Sequence, residues 1–363
     1  MSDCLVIGGG VSGLLTALEL HNAGLKVIVV ERGDIGQESS WAGGGIISPL
    51  YPWRMPTLVT ALARWSQTHY PTLVDNLNQW TGIDPEYTRN GLLILDTEEY
   101  PQARAWADQE HIRLELLDNV ALHDREPELG DHDKALWLPE IAQIRNPRLL
   151  KALKQALVLA KVSLLEQQKV HTLRIERDRV IGVETQAREF LPARRVVIAT
   201  GAWSQELLRY INIPLMVNPV RGQMILFSTQ PGLVSRMVLA NDRYVIPRRD
   251  GHVLVGSTLE FVGFDKTVTP SALQDLKYAA FGLIPRLADY GVQKHWAGLR
   301  PGSPNGIPYI GKHPAIEGLY VNTGHFRNGI VLGLASARLL ADIILERPPI
   351  LEPSGYALTA ERD

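Results

Sequence analysis

The chain holds a single cysteine, Cys4, among 363 residues. No internal disulfide can form, and a lone thiol fits a reducing compartment. An excess of charge of one sign is also lacking. Thirty-seven Lys and Arg stand against 39 Asp and Glu, a formal net charge of −2. That balance leaves no electrostatic footprint for nucleic acid or for an anionic membrane surface. Nor is there a run of ~18 uncharged apolar residues of the kind that spans a bilayer. The longest candidate, Ile330 to Leu345, is broken by Arg338 and Asp342. Residues 1–30 lack the charged start and small-residue cleavage site of a signal peptide, so a cytoplasmic protein is expected. There is no internal repeat and no low-complexity tract. No His/Cys/Asp cluster has metal-ligand spacing, and no Gly-x-Ser-x-Gly motif occurs.

What is present begins at once. Cys4-Leu5-Val6-Ile7 reads as a short buried strand, followed by Gly8-Gly9-Gly10-Val11-Ser12-Gly13. From Ser12 to Ala23 apolar residues recur at helical spacing, and Gly24 is a normal C-terminal stop. A second strand, Lys26 to Val30, ends in Glu31, eighteen residues after Gly13. Strand, glycine turn, helix, strand and acid are the full context of a dinucleotide site. In that context Gly8 permits the tight turn, Gly10 admits a pyrophosphate to the backbone, and Gly13 lets helix and strand pack closely. The helix N-terminus offers N–H groups and a positive dipole end, and Glu31 can bond ribose hydroxyls. An ordinary βαβ unit with a glycine-rich turn leaves Glu31 unexplained.

Residues 39–49, Ser-Ser-Trp-Ala-Gly-Gly-Gly-Ile-Ile-Ser-Pro, are too glycine-rich for a stable helix or a central strand. Such backbone suits close approach to a flat ligand. A flexible surface loop is the alternative, but Trp41, Ile46 and Ile47 are poor residues for one. Residues 57–81 read as a helix, 91–95 as a strand, 99–111 as a polar helix, and Asn146-Pro147 opens a helix to about Ala160. Residues 162–191 and 220–258 are β-rich; 194–201 is a buried strand ending in Ala-Thr-Gly. The end returns to an α/β pattern, with a strand at 319–322, a loop at 323–328 and a helix from Gly329 to Glu346. The fold class is therefore α/β. A Rossmann-like nucleotide domain (1–85, 143–219 and 296–363) is interrupted by a mixed β-sheet substrate domain (86–142 and 220–295). Only one dinucleotide fingerprint exists, so the reductant is the substrate itself rather than a nicotinamide nucleotide.

Six stretches, spread over nearly the whole chain, resemble the amino-acid oxidase family of FAD flavoproteins. They are Val6–Gly13, Ala199-Thr-Gly-Ala-Trp-Ser204, Tyr244-Val-Ile-Pro-Arg248, Trp296-Ala-Gly-Leu-Arg-Pro301, Pro308-Tyr-Ile-Gly311 and Gly324-His-Phe-Arg-Asn-Gly-Ile330. The last three in this order are similar to the glycine oxidase branch, which serves bacterial thiamine synthesis. The resemblance implies non-covalent FAD, a small amino-acid or amine substrate, oxygen as electron acceptor with release of hydrogen peroxide, and a homo-oligomer. Covalent attachment by cysteine is not expected, since Cys4 lies in the first strand. By position it also implies that Gly8, Gly10, Val11, Ser12, Gly13, Glu31 and Arg32 hold the dinucleotide. Ser39, Ser40, Ala42, Gly45 and Ile46 would follow along the flavin's flank, and Val170 would lie near the adenine. Thr200, Gly201 and Trp203 would line the dinucleotide. Phe326, Arg327, Asn328, Gly329 and Ile330 would face the flavin ring. Arg300 and Tyr244 take the places of the carboxylate-holding arginine and tyrosine, and Arg327 that of a second arginine near substrate and flavin. Two positions that are methionine in the family's glycine oxidases are Ile46 and Leu259 here.

The chemistry asks for the same residue types. Oxidation of an amino acid at Cα needs a carboxylate anchor, and arginine presents a matching fork. It needs a neutral amine, and a positive end at the flavin's pyrimidine side, which a helix N-terminus supplies. Arg300 sits between Ala297-Gly298 and Pro301-Gly302, a backbone with little freedom; a surface arginine is the alternative. Tyr244 heads a strand, where a core role competes, and Arg327 has an ion pair with the C-terminal segment as its alternative. His295 and His325 are assigned no role, because hydride transfer requires no base. A carrier-linked D-amino acid or amine dehydrogenase and a sarcosine oxidase-like enzyme remain open. So does a flavin-dependent RNA-modifying or NAD-linked protein sharing only the first fold unit.

Overall fold

A computed structural model describes residues 2–209, 211 and 215–362. Two large sheets organise it. The first has six strands in the order Tyr309–Lys312, Leu319–Thr323, Val196–Ile198, Cys4–Ile7, Val27–Val30 and Ser163–Leu165. All neighbours are parallel except the edge strand Tyr309–Lys312. The central strands, Cys-Leu-Val-Ile, Val-Val-Ile and Val-Ile-Val-Val, are apolar throughout because both of their faces are covered. On one face the helices Val11–Asn22, Thr57–Thr81, Asn146–Leu159 and Gly329–Ile344 bury Val6, Val29 and Val197. On the other, a three-stranded sheet drawn from residues 170–192 packs over Leu5, Ile7, Val196 and Ile198.

The second sheet has eight strands, in the order Val292–Gly302, Asn218–Ser228, His252–Gly256, Arg243–Pro247, Met237–Ala240, Leu92–Ile94, Lys134–Leu138 and Glu115–Asp118. Pairing is antiparallel, apart from one parallel contact between Met237–Ala240 and Leu92–Ile94. Its strands alternate with period two. Val245, Ile225 and Phe227 face a core capped by the helix Pro270–Leu283. Tyr244, Ile246 and Met224 face a second core, shared with Ile46 and Tyr51 from the nucleotide side. The chain thus builds a parallel nucleotide-type sheet and a mixed sheet inserted into it.

The glycine-rich segment differs from its reading as neither helix nor strand. Ser39–Ala42 closes one helical turn before the three glycines. The turn is held by tertiary contacts rather than propensity: Asn146 Nδ2 donates to Ser40 O and Gly43 O, at 2.9 and 3.0 Å. Arg248 Nη2 donates to Gly44 O at 2.7 Å. The helix Pro270–Leu283 lies beyond the β-rich stretch 220–258 and was not read from the sequence, although Thr269 caps it and Pro270 opens it.

Candidate functional site

The glycine turn builds one end of a deep cleft between the two sheets. Gly8 has φ +108°, a conformation that side chains avoid, and its N–H donates to Val30 O at 2.8 Å. A Cβ on Gly13 would lie 1.9 Å from Gly8 O, so only glycine lets the helix Val11–Asn22 sit this close to the first strand. Val11 N donates to Ser40 Oγ at 3.0 Å. The first-turn N–H groups of a helix have no partner inside it, and here Val11 and Ser12 line the cleft. Glu31 receives Gly9 N on one oxygen at 2.7 Å and Gly33 N on the other at 2.9 Å. Each oxygen keeps a lone pair for a hydroxyl donor.

A second helix aims at the same space. Gly329–Ile344 starts beside the first helix, and Asn328, Gly329, Ile330 and Val331 line the cleft. Two positive dipole ends therefore converge on one cavity, which encloses about 410 Å³. That is within the usual ligand-site range of ~300–1,000 Å³. Arg32 stacks 3.5 Å above the Trp203 ring centroid and pairs with Glu38 at 2.8 Å. Trp203 in turn stacks on Phe264.

The far end is built by the mixed sheet. Arg300 lies on Val292–Gly302 and crosses toward Asn218–Ser228, where Val220 is its register partner. Its Nη2 donates to Ser257 Oγ at 2.7 Å and Nη1 to Thr258 O at 3.1 Å. Among the described residues it pairs with no carboxylate. Burial lowers its pKa, with the Tyr244 phenol beside it acting the other way; a guanidinium stays charged regardless. The fork lies flat over Gly222, where a Cβ would fall 2.0–2.2 Å from its nitrogens and central carbon. Tyr244 is 7% exposed, packs in the shared core and directs its hydroxyl toward Met224 Sδ at 3.2 Å. It is a core residue and a cleft residue at once. Arg327 pairs with Asp242, Nη2 to Oδ1 3.1 Å, and among the described residues with no group of the C-terminal segment.

Of the residues singled out from the sequence, Gly8, Gly10, Val11, Ser12, Glu31, Arg32, Ser39, Ser40, Gly45 and Ile46 line this cleft. So do Val170, Thr200, Gly201, Trp203, Tyr244, Arg300 and the run Phe326–Ile330. Gly13 and Ala42 do not. Gly13 lies beneath Gly8, and Ala42 O accepts from Trp296 Nε1 at 3.1 Å, tying the turn to the mixed sheet. Leu259 is 45% exposed and lies outside the lining. Sequence reasoning missed Gly222, Ser257 and Asn322, whose signals are long-range. It also set aside His325, which lines the cleft, is 2% exposed and stands 3.5 Å from Ser12 Oγ through Nδ1. Burial pulls its pKa down to about 4. His295 lies outside the lining. Cys4 is fully buried among the helices, with its thiol pushed up to about 12. Among the described residues no group of three or more His, Cys, Asp or Glu could hold a metal ion, and no helix is long and apolar enough to cross a membrane.

The cleft's chemistry fits an FAD-sized dinucleotide. Gly10 opens onto it without a side chain, two helix N-termini meet there, and the buried Asn322 Oδ1 and His325 Nε2 have no partner among the described residues. Comparison with known proteins agrees. Residues 3–343 match the family model described as FAD dependent oxidoreductase. A glycine oxidase of Pseudomonas putida is 51% identical over 97% of both chains. A bifunctional protein ThiO/ThiG of Trichormus variabilis is 33% identical over 98% of this chain and 55% of its own length. The crystal structure of glycine oxidase from Geobacillus kaustophilus superposes with a TM-score of 0.94 at 28% identity, covering 99% of both chains.

Proposed function

Because this chain belongs to the FAD-dependent oxidoreductase family, we propose that it oxidises glycine and other small amines or D-amino acids. The bond broken is the Cα–H beside the carboxylate. The products are an imine, then the oxo-acid and ammonia after hydrolysis, with oxygen reduced to hydrogen peroxide. The observation that carries the reading is Arg300, a guanidinium without a carboxylate partner among the described residues, fixed by Ser257 and Thr258 beside Tyr244. Such a fork binds a planar carboxylate through two parallel hydrogen bonds.

Bound FAD supplies the hydride acceptor. The chain does the rest. Arg300 and the Tyr244 hydroxyl hold the substrate's carboxylate and thereby orient Cα. Arg300, which pairs with no carboxylate among the described residues, disfavours an ammonium beside it and so favours the neutral amine whose lone pair expels the hydride. The N-terminus of Gly329–Ile344, whose first residues line the cleft, would offer a positive dipole end to the negative charge that a bound flavin gains. Ile46 and Leu50 line the cleft with apolar surface, which favours a substrate without a polar side chain. The likeness to proteins named glycine oxidase and ThiO/ThiG supports a role for the imine as precursor of the thiamine thiazole.

The test is turnover by the purified yellow protein on glycine, sarcosine, D-alanine and D-proline, with oxygen uptake, peroxide and ammonia measured together. Peroxide formed in step with glycine consumption is expected. Turnover only with an artificial electron carrier would make the protein a dehydrogenase, and no turnover on any of the four would overturn the reading.

A further inference from the structure

A second charged arrangement meets the cleft at Arg327, a lining residue whose ion-pair partner Asp242 lies just behind the lining, and the reaction as described does not use that pair. Asn241 and Asp242, with φ of 47° and 61°, form the two-residue turn joining Met237–Ala240 to Arg243–Pro247. Asn and Asp are the side chains that best tolerate this left-handed backbone. The turn is fixed from beneath. Asn241 N donates to both Asp96 oxygens, at 3.1 and 3.2 Å. Asp242 N donates to the Tyr51 hydroxyl at 3.2 Å, and Tyr51 donates to Asp96 Oδ2 at 2.6 Å. Arg54 stacks on the Tyr51 ring and pairs with Glu99. With its backbone pinned, Asp242 presents its carboxylate to Arg327 at 3.1 Å. Of the two arginines at this end, Arg327 is neutralised from within and Arg300 is not.

We propose that Asp242 is a specificity residue that reserves the site for amines carrying one carboxylate and turns away those carrying two. The inference rests on the amino-acid oxidase reading. A substrate's first carboxylate takes Arg300. A second carboxylate near Arg327 meets the like charge of Asp242, which cannot withdraw because its turn is tied to Asp96 and Tyr51. Discrimination of this kind comes from a repulsive element set against the wrong ligand as much as from attraction to the right one. A stability role is a poor explanation of the pair, since both partners are partly exposed and such ion pairs contribute little.

The experiment uses the FAD-loaded protein and Asp242→Asn, which keeps the turn's backbone preference and removes the charge. kcat/KM is measured for glycine, for N-(carbamoylmethyl)glycine and for iminodiacetate, whose second carboxylate is the charged near-isostere of that amide. The ratio of iminodiacetate to N-(carbamoylmethyl)glycine is expected to rise about tenfold or more in the variant, the scale of one unit-charge contact at a protein surface. Flavin absorbance changes give a second readout without turnover: malonate should bind the variant more tightly, and acetate should not. A ratio and a malonate affinity that both stay at wild-type values overturn the proposal. A wild-type protein that oxidises none of the three amines overturns the underlying reading instead, and the malonate comparison still decides the role of Asp242.

Discussion

Gly222→Ala separates the placement of the Arg300 fork from its charge. Gly222 lies in the strand Asn218–Ser228 and its φ is outside the positive region that side chains avoid, so the backbone accepts alanine. The added Cβ would stand 2.0, 2.1 and 2.2 Å from Nη2, Nη1 and Cζ of Arg300. An ordinary contact begins at 3.4 Å, so the guanidinium must retreat by more than ~1 Å. The atoms that yield are the far end of one flexible side chain, so the cost to the fold is small. The cost to function is not. The retreat breaks the bonds to Ser257 Oγ and Thr258 O that aim the fork. A displacement of this size costs about 10²-fold in rate, near 3 kcal/mol in the barrier. Removing the group altogether, in Arg300→Ala, leaves the substrate carboxylate unpaired and costs ~2–5 kcal/mol. Arg300→Lys should recover little, because a point charge does not reproduce the fork. The double variant Gly222→Ala/Arg300→Ala should be no worse than Arg300→Ala alone, since both act through one side chain. The assay is kcat/KM for glycine alongside flavin-to-protein ratio and melting temperature. A Gly222→Ala protein within about threefold of wild type would refute the reasoning, as would loss of its FAD, which would mean that the change acts on the fold.

Two further outcomes follow from the same geometry. Gly13→Ala places a Cβ 1.9 Å from the backbone oxygen of Gly8, where nothing flexible can yield; the helix must lift from the first strand. Overpacking costs ~1–3 kcal/mol, so a lowered melting temperature and loss of flavin are expected, and retention of both would contradict the close-packing role. His325 is neutral in the folded protein, with its pKa at about 4 against an ordinary value of 6.5. As pH falls below 6.5 the unfolded chain takes up a proton that the folded protein refuses. Stability is therefore lost across the window from 6.5 to 4, by about 3 kcal/mol from this group. His325→Gln should flatten that part of the profile in urea titrations at several pH values; parallel curves for variant and wild type would exclude the assignment.

The parts of the site legible in the sequence are those that local contacts encode. Gly8, Gly10, Gly13 and Glu31 lie on one βαβ unit, so their spacing along the chain is also their spacing in space. The strand runs of Val, Ile and Leu reveal burial on both faces for the same reason. Arg300 was legible because the motif around it, Trp296 to Pro301, resembles the family's carboxylate-arginine motif. Gly222 was not, because its role depends on the register that sets Val220 against Arg300 and brings the side chain back across the sheet. Asp242 reads as an ordinary turn residue until the chain brings Arg327, 85 residues away, beside it. Ser39–Ala42 shows the opposite case: propensity argued against helix, and hydrogen bonds from Asn146, more than a hundred residues on, decided the matter.

The most direct measurement mixes the flavin-loaded protein with glycine in the absence of oxygen and follows the flavin's visible absorbance. The account predicts bleaching by glycine, abolished or slowed at least thirtyfold in Arg300→Ala with its flavin intact, about 2 kcal/mol in barrier, and return of the colour with peroxide when air is admitted. Flavin that stays oxidised with glycine, or that is bleached equally well in Arg300→Ala, would contradict it.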